Sequence, residues 1–344
     1  MDIMTKEERF NALVRLGELL REGNDEFLQA SIKRSAIHNG WFTEANQQQA
    51  IKAIATQMLE PRALTEWLGA YDLSETTVAK QVGVVMAGNL PLVGFHDLLA
   101  VFMSGHQAIL KLSDKDPYLI PAILRTLKLI DERTANYFKI VTKLAGFEAV
   151  IATGSNNSAR YFKEYFAAYP HIIRQNRNAV AVLTGEESKE ELLALGHDIF
   201  DYFGLGCRNV SKLYLPEGYD FKPLLEALHE YRHQLINHTK YKNNFDYNYA
   251  LYVLNRVPYE ANGCVLMTEN TSLQSPIATL HYEYYSSVEA VTTTLLLRED
   301  EIQLVVSQFP LAGLSPYKLG DAQQPGLSDY ADGVDTMAFL LGLQ

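Results

Sequence analysis

Hydrophobic and polar positions over residues 1–70 repeat with the period of α-helices. Thr5 is followed by Glu8 three positions later, which is the pattern of a capping box at a helix start. Apolar residues then recur at three- and four-residue spacing, and a second stretch, 44–58, has the same period. The pattern predicts a helical N-terminal region that precedes the main body of the fold.

From residue 80 onward, short apolar runs alternate with longer amphipathic stretches. Short apolar runs bounded by turn residues are typical of buried strands, and the longer stretches are typical of helices. This alternation predicts a parallel sheet covered on both faces, whose ligands bind at the carboxyl ends of the strands. The predicted strands are 81–88, 107–113, 138–141 and 149–153, and the predicted helices lie within 88–105, 117–130 and 156–168.

A second section with the same alternation begins at residue 178. The fold class is therefore α/β, with two doubly wound parallel-sheet domains after a helical preface. In this section the predicted strands are 179–183, 212–216, 249–254 and 265–268, the predicted helices are 188–203, 221–237 and 286–294, and the polar segment 238–246 is predicted to be a loop.

The last part of the chain, 325–343, is rich in turn residues and then becomes apolar. We interpret it as a C-terminal strand, which needs a partner sheet in its own subunit or in another one. The predicted divisions are thus 1–177, 178–324 and a tail, 325–344, that serves oligomerisation or bridges two sheets. The tail favours a homodimer or a higher homo-oligomer.

The net charge of the chain bears on whether it binds nucleic acids or membranes. The chain has 344 residues, 47% of them hydrophobic, and a formal net charge of −11 with no block of basic residues. This composition argues against a nucleic-acid partner and against an anionic membrane surface. No apolar run approaches the length of a membrane span, and the acidic start is unlike a secretory signal.

Cysteine and histidine usage indicates the compartment and the metal content. The two cysteines, Cys207 and Cys264, do not make a disulfide framework, so reduced thiols in the cytoplasm are expected. The nine histidines are scattered without the spacing of metal ligands, so no metal site is expected.

Cys207 directly follows a glycine-rich turn, 204–206, between a predicted helix and a predicted strand. Glycines permit a tight backbone there, and such a turn can present a thiol together with its own backbone N–H toward a reacting group. The alternative is that Cys207 is a small buried hydrophobe, as free cysteines often are. Arg208 or a nearby helix start would lower the thiol pKa, and the alternative for Arg208 is a solvated side chain. Cys264 has no such turn, and we interpret it as core.

Short motifs follow one another along the chain in a definite order. They are Gly88-Asn89-Leu90-Pro91 after the first strand, 104–113 with its Lys111-Leu112-Ser113 end, the Thr153-Gly154-Ser155 turn, Gly206-Cys207, the 281–285 segment with Glu283, and the segment from Asp329 onward. Their order resembles the aldehyde dehydrogenase superfamily and, within it, the acyl-CoA reductases of the bacterial-bioluminescence fatty-acid-reductase type. The resemblance runs from about residue 80 to the end. The chain has no GxGxxG motif, which this superfamily does not require.

The resemblance implies catalytic roles for Cys207 and Asn89. Cys207 would attack an acyl thioester and release coenzyme A. The side-chain amide of Asn89, with the Cys207 backbone N–H, would stabilise the tetrahedral intermediate. The alternative for Asn89 is a turn residue that satisfies its own backbone.

The resemblance also implies an adenosine-ribose site at Lys111, Ser113 and Asp114. A lysine there can bind a 2′-hydroxyl or a 2′-phosphate, whereas a carboxylate accepts a hydroxyl proton and repels a phosphate. We take NADPH as the cofactor, as the resemblance implies, and NADH stays open because of Asp114. The alternative is that these residues form a solvated charged loop.

The remaining cofactor residues implied by the resemblance are Thr153, Gly154, Ser155 and Glu283. Gly154 and Ser155 open a predicted helix, whose N–H groups can hold pyrophosphate. Ser155 serves equally well as a simple helix cap. Glu283 would hold the nicotinamide ribose, or it is a surface glutamate.

One family feature is missing from this chain. Many aldehyde-oxidising members carry a water-activating glutamate in a Leu-Glu-Leu-Gly-Gly-Lys segment, and the corresponding stretch here, 172–177, has no carboxylate. Without a general base the acyl-enzyme should hydrolyse slowly, which favours reduction of an acyl-CoA, of the fatty type by resemblance, over oxidation of an aldehyde. The competing hypotheses are a cysteine acyltransferase or thioesterase without a redox step, and an inactive binding protein on the same fold.

Overall fold

A computed structural model describes residues 3–73 and 78–343. The chain divides into two compact units. The first unit comprises Met1–Asn176 together with Pro325–Gln344, and the second comprises Arg177–Gln324.

The first unit begins with helices, as predicted. The Thr5 side chain accepts a hydrogen bond from the Glu8 backbone N–H, and Glu8 Oε2 accepts one from the Thr5 N–H at 2.7 Å. This reciprocal pair confirms the capping box. The helices are α1 (Lys6–Glu22), α2 (Glu26–His38), α3 (Glu44–Ala53), which continues as a π-helical turn (Ile54–Met58), and α4 (Pro61–Gly69).

A parallel sheet in the order β3-β2-β1-β4-β5 follows these helices. Ile151 packs into one hydrophobic cluster, whereas its neighbours Val150 and Ala152 pack into another, so both faces of the sheet are covered. Its elements are β1 (Gln81–Val85), α5 (Phe95–Ser104), β2 (Gln107–Lys111), α6 (Leu119–Ile130), a 3₁₀ segment (Glu132–Tyr137), β3 (Phe138–Ile140), β4 (Ala149–Thr153), α7 (Asn156–Tyr165) and β5 (His171–Arg174).

The second unit contains a mostly parallel sheet in the order β11-β6-β7-β10-β9-β8, whose short edge strand β8 is antiparallel. Four successive residues of β6, Ala179 to Val182, are fully buried, so this sheet is also covered on both faces. Its elements are β6 (Asn178–Val182), α8 (Lys189–Phe200), β7 (Val210–Pro216), α9 (Phe221–His229), α10 (Arg232–Ile236), α11 (Thr239–Asn255), β8 (Glu260–Ala261), β9 (Leu266–Glu269), β10 (Thr279–Tyr285), α12 (Val288–Leu296) and β11 (Ile302–Ser307). The predicted α/β class with parallel sheets is confirmed.

Two predictions in the second unit are wrong. The segment 238–246, predicted as a loop, and 249–254, predicted as a strand, both lie in the single helix α11. His238 caps this helix by accepting a hydrogen bond from the Tyr241 N–H, and the residues that face the core, Tyr241 and Asn248, are seven positions apart. A seven-residue interval is two helical turns, and an asparagine in the core hides it from a reading of apolar positions alone.

The predicted C-terminal strand is also wrong, because the tail forms the helix α13 (Thr336–Leu341). Asp335 caps it by accepting a hydrogen bond from the Ala338 N–H at 2.8 Å. Thr336, Met337 and Leu340 are buried, which is helical spacing. The tail packs against α5 within the first unit. The argument for oligomerisation through a terminal strand therefore falls.

None of the helices in residues 3–73 and 78–343 combines the length and the apolar character that a bilayer crossing requires.

Candidate active site

The loops that follow β1, β2 and β4 form one edge of the first sheet, which we call the cofactor edge. β1 lies between β2 and β4 and pairs with both in parallel, so the carboxyl ends of all three strands meet there. The chain runs outward from β1 to β2 and β3, then returns to β1's other side as β4. Such a reversal of strand order leaves a crevice between the two loops, and ligands of open α/β sheets bind in that crevice.

Asn89 lies in an exposed position in the loop after β1. Gly88 lies directly against the loop after β2. A Cβ built on Gly88 would lie 2.3 Å from Ser113 Oγ, which shows how close the two loops are. Leu92 is buried with a left-handed backbone (φ 57°), which is uncommon for a non-glycine residue. Its N–H donates to Asp116 Oδ2 at 3.0 Å. Ser113 and Asp116 therefore shape the turn that carries Asn89.

Asp116 is a residue that the sequence analysis missed. Its side chain is 5% exposed, and its second carboxylate oxygen, Oδ1, is buried without a hydrogen-bond partner among the described residues. Burial raises the pKa of Asp116 to about 6, against the lowering effect of the hydrogen bonds from the Leu92 and Leu119 backbones. Its position before a proline in a charged segment gave no signal of burial.

Lys111, Ser113 and Asp114 lie at the end of β2 and in the loop after it. The Lys111 ammonium is 3.9 Å from Asp114 Oδ1, and it donates to the Leu112 carbonyl at 3.1 Å. His38 Nε2 contacts the Asp114 carbonyl at 2.7 Å, which attaches the loop to the C-terminal end of α2. The charged loop is thus held in place by the N-terminal helices, although the Asp114 side chain is fully exposed.

Thr153, Gly154 and Ser155 connect β4 to α7 at the same edge. Ser155 caps α7, since its hydroxyl accepts a hydrogen bond from the Ser158 N–H at 3.3 Å. A Cβ on Gly154 would lie 2.8 Å from the Ser158 Cβ, so only glycine allows the turn to approach the helix this closely. No acidic residue lies in the first turn of α7, which leaves its positive dipole end available to an anion.

Cys207 lies in a turn of the second unit, which we define as residues 201–209 and call the cysteine turn. The predicted helix 188–203 ends earlier than expected, at Phe200. Tyr202, Phe203 and Gly204 then have left-handed backbones in succession (φ 53°, 60° and 73°). Two consecutive aromatic residues in this region are strained, and such strain persists only where the surrounding structure holds it.

Asn209 and Asp198 provide that support. The Asn209 side chain accepts a hydrogen bond from the Gly206 N–H at 2.8 Å and donates to the carbonyls of Asp198 and Asp201. The buried carboxylate of Asp198 accepts hydrogen bonds from the N–H groups of Gly320, at 2.6 Å, and Ala322, at 2.9 Å. Burial raises the pKa of Asp198 to about 6.

Arg208 is not a freely solvated side chain. Its Nε donates to the Ala322 carbonyl at 2.5 Å, and its guanidinium lies 4.9 Å from the centre of the Tyr317 ring. The residues on both sides of Cys207 in the turn are therefore tied to the 317–322 segment or to the end of α8, while the cysteine itself is partly exposed.

Cys264, in contrast, is fully buried, which confirms its interpretation as core. Its thiol donates to Asn262 Oδ1 at 3.3 Å, and burial raises the pKa of Cys264 to about 12. A thiol with so high a pKa is not a nucleophile at neutral pH.

Glu283 lies on β10 and forms an ion pair with Lys212 of the neighbouring strand β7, with Oε2 and Nζ 2.7 Å apart. Lys212 is a second residue of this region that the sequence analysis did not single out. A lysine within an apolar strand is a usable signal, since lysine is almost never fully buried unless it is paired.

The structure thus brings Asn89, Lys111, Ser113, Asp114, Thr153, Gly154 and Ser155 to one edge of the first sheet, and it places Cys207 and Glu283 in the second unit. The convergence of Cys207 with Asn89 stays a prediction. In the described part of the chain, no group of three or more histidine, cysteine, aspartate or glutamate side chains is arranged to hold a metal ion.

The sequence matches the model of the acyl-CoA reductase (LuxC) family over residues 29–231, which is more than half of the chain and includes both Asn89 and Cys207. The chain belongs to the acyl-CoA reductase family. Membership of this family makes it an oxidoreductase that acts on acyl or aldehyde substrates. No curated protein matches the sequence significantly.

Solved structures of aldehyde dehydrogenases share the fold of this acyl-CoA reductase family member. Aldehyde dehydrogenase 21 from Physcomitrella patens, in complex with succinate, is 12% identical with a TM-score of 0.67 over 98% of this chain and 84% of that chain. An NAD-dependent benzaldehyde dehydrogenase from Corynebacterium glutamicum is 13% identical with a TM-score of 0.64 over 88% and 76%. An NADP-dependent enzyme from E. coli is 14% identical with a TM-score of 0.67 over 88% and 73%. The predicted aldehyde-dehydrogenase-like fold and the suspected family are confirmed.

Proposed function

We propose that this protein reduces a fatty acyl-CoA to an aldehyde with NADPH, through an acyl thioester on Cys207. The observation that carries the proposal is the cysteine turn, in which buried polar side chains maintain a strained backbone around a partly exposed thiol. Strain of this kind is concentrated at functional sites because it fixes a reactive group in one geometry.

In the first half of the reaction the Cys207 thiolate attacks the carbonyl carbon of the acyl-CoA thioester. The tetrahedral intermediate collapses with cleavage of the bond to the coenzyme A sulfur, and coenzyme A leaves as a thiolate. The Asn89 amide and the Cys207 N–H stabilise the intermediate's oxyanion. Removal of one such donor typically costs about 2.7–4 kcal/mol of barrier.

The cofactor edge fits a dinucleotide. Its crevice lies where the strand order reverses, and the Gly154 turn and the uncharged first turn of α7 suit a pyrophosphate. Thr153, Gly154 and Ser155 would hold the pyrophosphate, while Lys111 and its loop would hold the adenosine ribose.

Glu283 would hold the nicotinamide ribose. The chemistry that a bound dinucleotide supplies is hydride donation. Release of aldehyde from the reduced acyl group then returns Cys207 to the thiolate.

NADPH is proposed ahead of NADH because Lys111 ends β2 at this edge and its side chain is partly exposed. A 2′-phosphate would pair with that ammonium, and the exposed Asp114 carboxylate can turn away into solvent. The fold relatives include an NAD-dependent and an NADP-dependent enzyme, so the fold does not discriminate.

Reduction is proposed ahead of hydrolysis because the 172–177 stretch has no carboxylate of its own. Two carboxylates approach this stretch from elsewhere in the first unit, and both are engaged. Asp97 forms a buried ion pair with Arg174 at 2.6 Å, and Asp332 accepts a hydrogen bond from the Gln175 N–H at 3.4 Å. Without a general base in this stretch, the thioester survives long enough to be reduced.

We assign dinucleotide binding to the domain 1–177 and acyl transfer to 178–324. We also retain the predictions of a cytoplasmic location and of a homo-oligomer, the latter now without support from the tail.

The test is Cys207→Ala, assayed by acyl-CoA-dependent oxidation of NADPH over acyl-CoAs from short to long chain. We expect turnover to be abolished while the thermal unfolding temperature is unchanged. Cys264→Ala is the matched control, in which folding stability falls but residual folded enzyme stays active. Mass spectrometry should find the acyl adduct on wild type and Cys264→Ala only. Persistent turnover in Cys207→Ala would refute the mechanism, and acylation without NADPH oxidation would favour an acyltransferase.

A further inference from the structure

Lys212 is a fully buried lysine whose partner reaches the surface. Its side chain is 0% exposed, whereas that of Glu283 is 30% exposed. In the β7–β10 register, Lys212 lies opposite His281, and Tyr214 lies opposite Glu283. Residues two apart on a strand share a face, so Lys212 and Glu283 are diagonal neighbours on the same side of the sheet.

The Lys212 ammonium is fixed by more than its ion pair. It donates to the Asn270 carbonyl and lies 5.6 Å from the centre of the Tyr214 ring. The 270–273 segment that supplies this carbonyl is itself held, since Arg298 Nη1 donates to the Thr271 carbonyl at 3.1 Å and Ser211 Oγ donates to the Leu273 carbonyl at 2.7 Å. The cation therefore has a defined position from which it can orient a neighbouring carboxylate.

A purely structural ion pair is the alternative reading. Such a pair satisfies both charges internally, and apolar residues can often replace it without loss of stability. Glu283 differs because it is partly exposed, and the carboxylate oxygen closest to the Lys212 ammonium is Oε2, at 2.7 Å. A carboxylate has about four lone-pair sites, so this one retains the capacity to accept hydrogen bonds from both hydroxyls of a ribose.

We propose that Lys212 is a positioning residue that holds Glu283 in the orientation in which it accepts hydrogen bonds from the nicotinamide ribose. The proposal rests on the cofactor role proposed for Glu283 and adds the residue that makes that role possible. Lys212 acts through Glu283 and does not touch the cofactor.

Because Lys212 is buried and Glu283 is partly exposed, replacement of one residue and replacement of the other should affect the stability of the fold differently. Removal of Glu283 alone leaves a buried, unpaired ammonium, which destabilises the fold whether or not Glu283 binds a cofactor. Removal of Lys212 alone leaves a carboxylate with access to solvent, which the fold tolerates. Lys212→Met is therefore the informative single variant, and Glu283→Gln keeps an acceptor near Lys212 while removing the charge.

The experiment is a double-mutant cycle with Lys212→Met, Glu283→Gln and the double variant. Two quantities are measured: the dissociation constant for NADPH, with NADH in parallel, and the rate of Cys207 acylation by acyl-CoA without cofactor. We expect each single variant to weaken NADPH binding about tenfold and the double variant to be no weaker than either, because both changes remove the same interaction. In Lys212→Met, acylation of Cys207 should stay within about twofold of wild type.

Lys212→Gln is the second variant should Lys212→Met fold poorly, and far-UV circular dichroism verifies folding. Lys80→Met is the matched control, since Lys80 pairs with Glu148 at 3.3 Å at the amino ends of the first sheet, and NADPH binding should not change. If the Lys212 and Glu283 changes weaken NADPH binding independently, so that the loss of affinity in the double variant is the product of the two single losses, the positioning role is overturned. Unchanged NADPH affinity in Glu283→Gln would overturn it by removing the contact it rests on, and acyl-CoA-dependent oxidation of NADPH by wild type would show that the reductase proposal survives.

Discussion

The cofactor edge of the first unit and the cysteine turn of the second unit are held in different ways. At the cofactor edge the candidate residues follow directly after strands, and the parallel pairing of β2, β1 and β4 brings them together. In the cysteine turn, Cys207 precedes β7, and the geometry depends on Asp198, Asn209 and Arg208, whose partners lie in other segments. One site follows from backbone topology and the other from buried side-chain hydrogen bonds.

Because of this difference, we expect mutations in the two regions to affect different properties of the protein. A change at the cofactor edge should weaken binding while the fold persists, because the strands hold the edge. A change to the polar supports of the cysteine turn should cost stability as well as activity, because buried N–H groups lose their acceptors.

The largest effect is expected for Asp198→Ala. It removes the acceptor of the partly buried Gly320 N–H and of the buried Ala322 N–H, at a cost of about 3 kcal/mol in the free energy of unfolding. Cys207 acylation should fall at least about tenfold, because the turn loses its anchor. Urea unfolding and single-turnover acylation measure the two effects.

Asp300→Ala is the control, since Asp300 is an exposed acid of the same unit, and it should change neither quantity. If folded Asp198→Ala is acylated on Cys207 at the wild-type rate, the hydrogen bonds of Asp198 do not control the reactivity of the thiol.

A smaller, pH-dependent effect is expected for Asp116→Asn at the cofactor edge. Burial raises the pKa of Asp116 to about 6 in the folded protein, above its ordinary value of 3.8, so the folded state binds more protons than the unfolded state between these values. Wild type should therefore gain stability relative to the variant as the pH falls from about 7 to about 4, by roughly 2–3 kcal/mol. Denaturant unfolding of both proteins across this range measures the difference, and a constant difference would contradict the buried carboxylate.

The smallest effect, and the most specific, is expected for Ser155→Ala. Loss of the α7 cap should cost about 1 kcal/mol of stability and weaken NADPH binding about threefold. Ser188→Ala is chemically the same change, since Ser188 caps α8 by accepting a hydrogen bond from the Glu191 N–H at 3.2 Å. It should cost the same stability and leave NADPH binding unchanged. Equal effects of the two changes on NADPH would remove the α7 N-terminus from the proposed site.

The sequence predicted the first unit better than the second. The strand–helix alternation after residue 80 is regular, and the observed elements β1, β2, β3 and β4 lie within or at the predicted positions. In the second unit, aromatic and apolar residues crowd 245–254, where strand and helix patterns overlap, and the sequence offered no local reason to prefer helix α11. Four strands, β5, β8, β10 and β11, were not predicted as strands at all.

Local pattern alone determined the α/β class, the capping box at Thr5, the glycine-containing turn before Cys207 and the motif order that resembled the family. The tertiary structure alone decided that Asp198 reaches Gly320 and Ala322 across more than 120 residues, that Lys212 lies buried beside Glu283, and that the tail is a helix against α5. The physical reason is that periodicity and turn chemistry act between neighbours in the chain, whereas the partner of a buried polar group is chosen by packing between distant segments. The local sequence around a charged residue therefore does not predict which backbone N–H or carboxylate will be its partner in the fold.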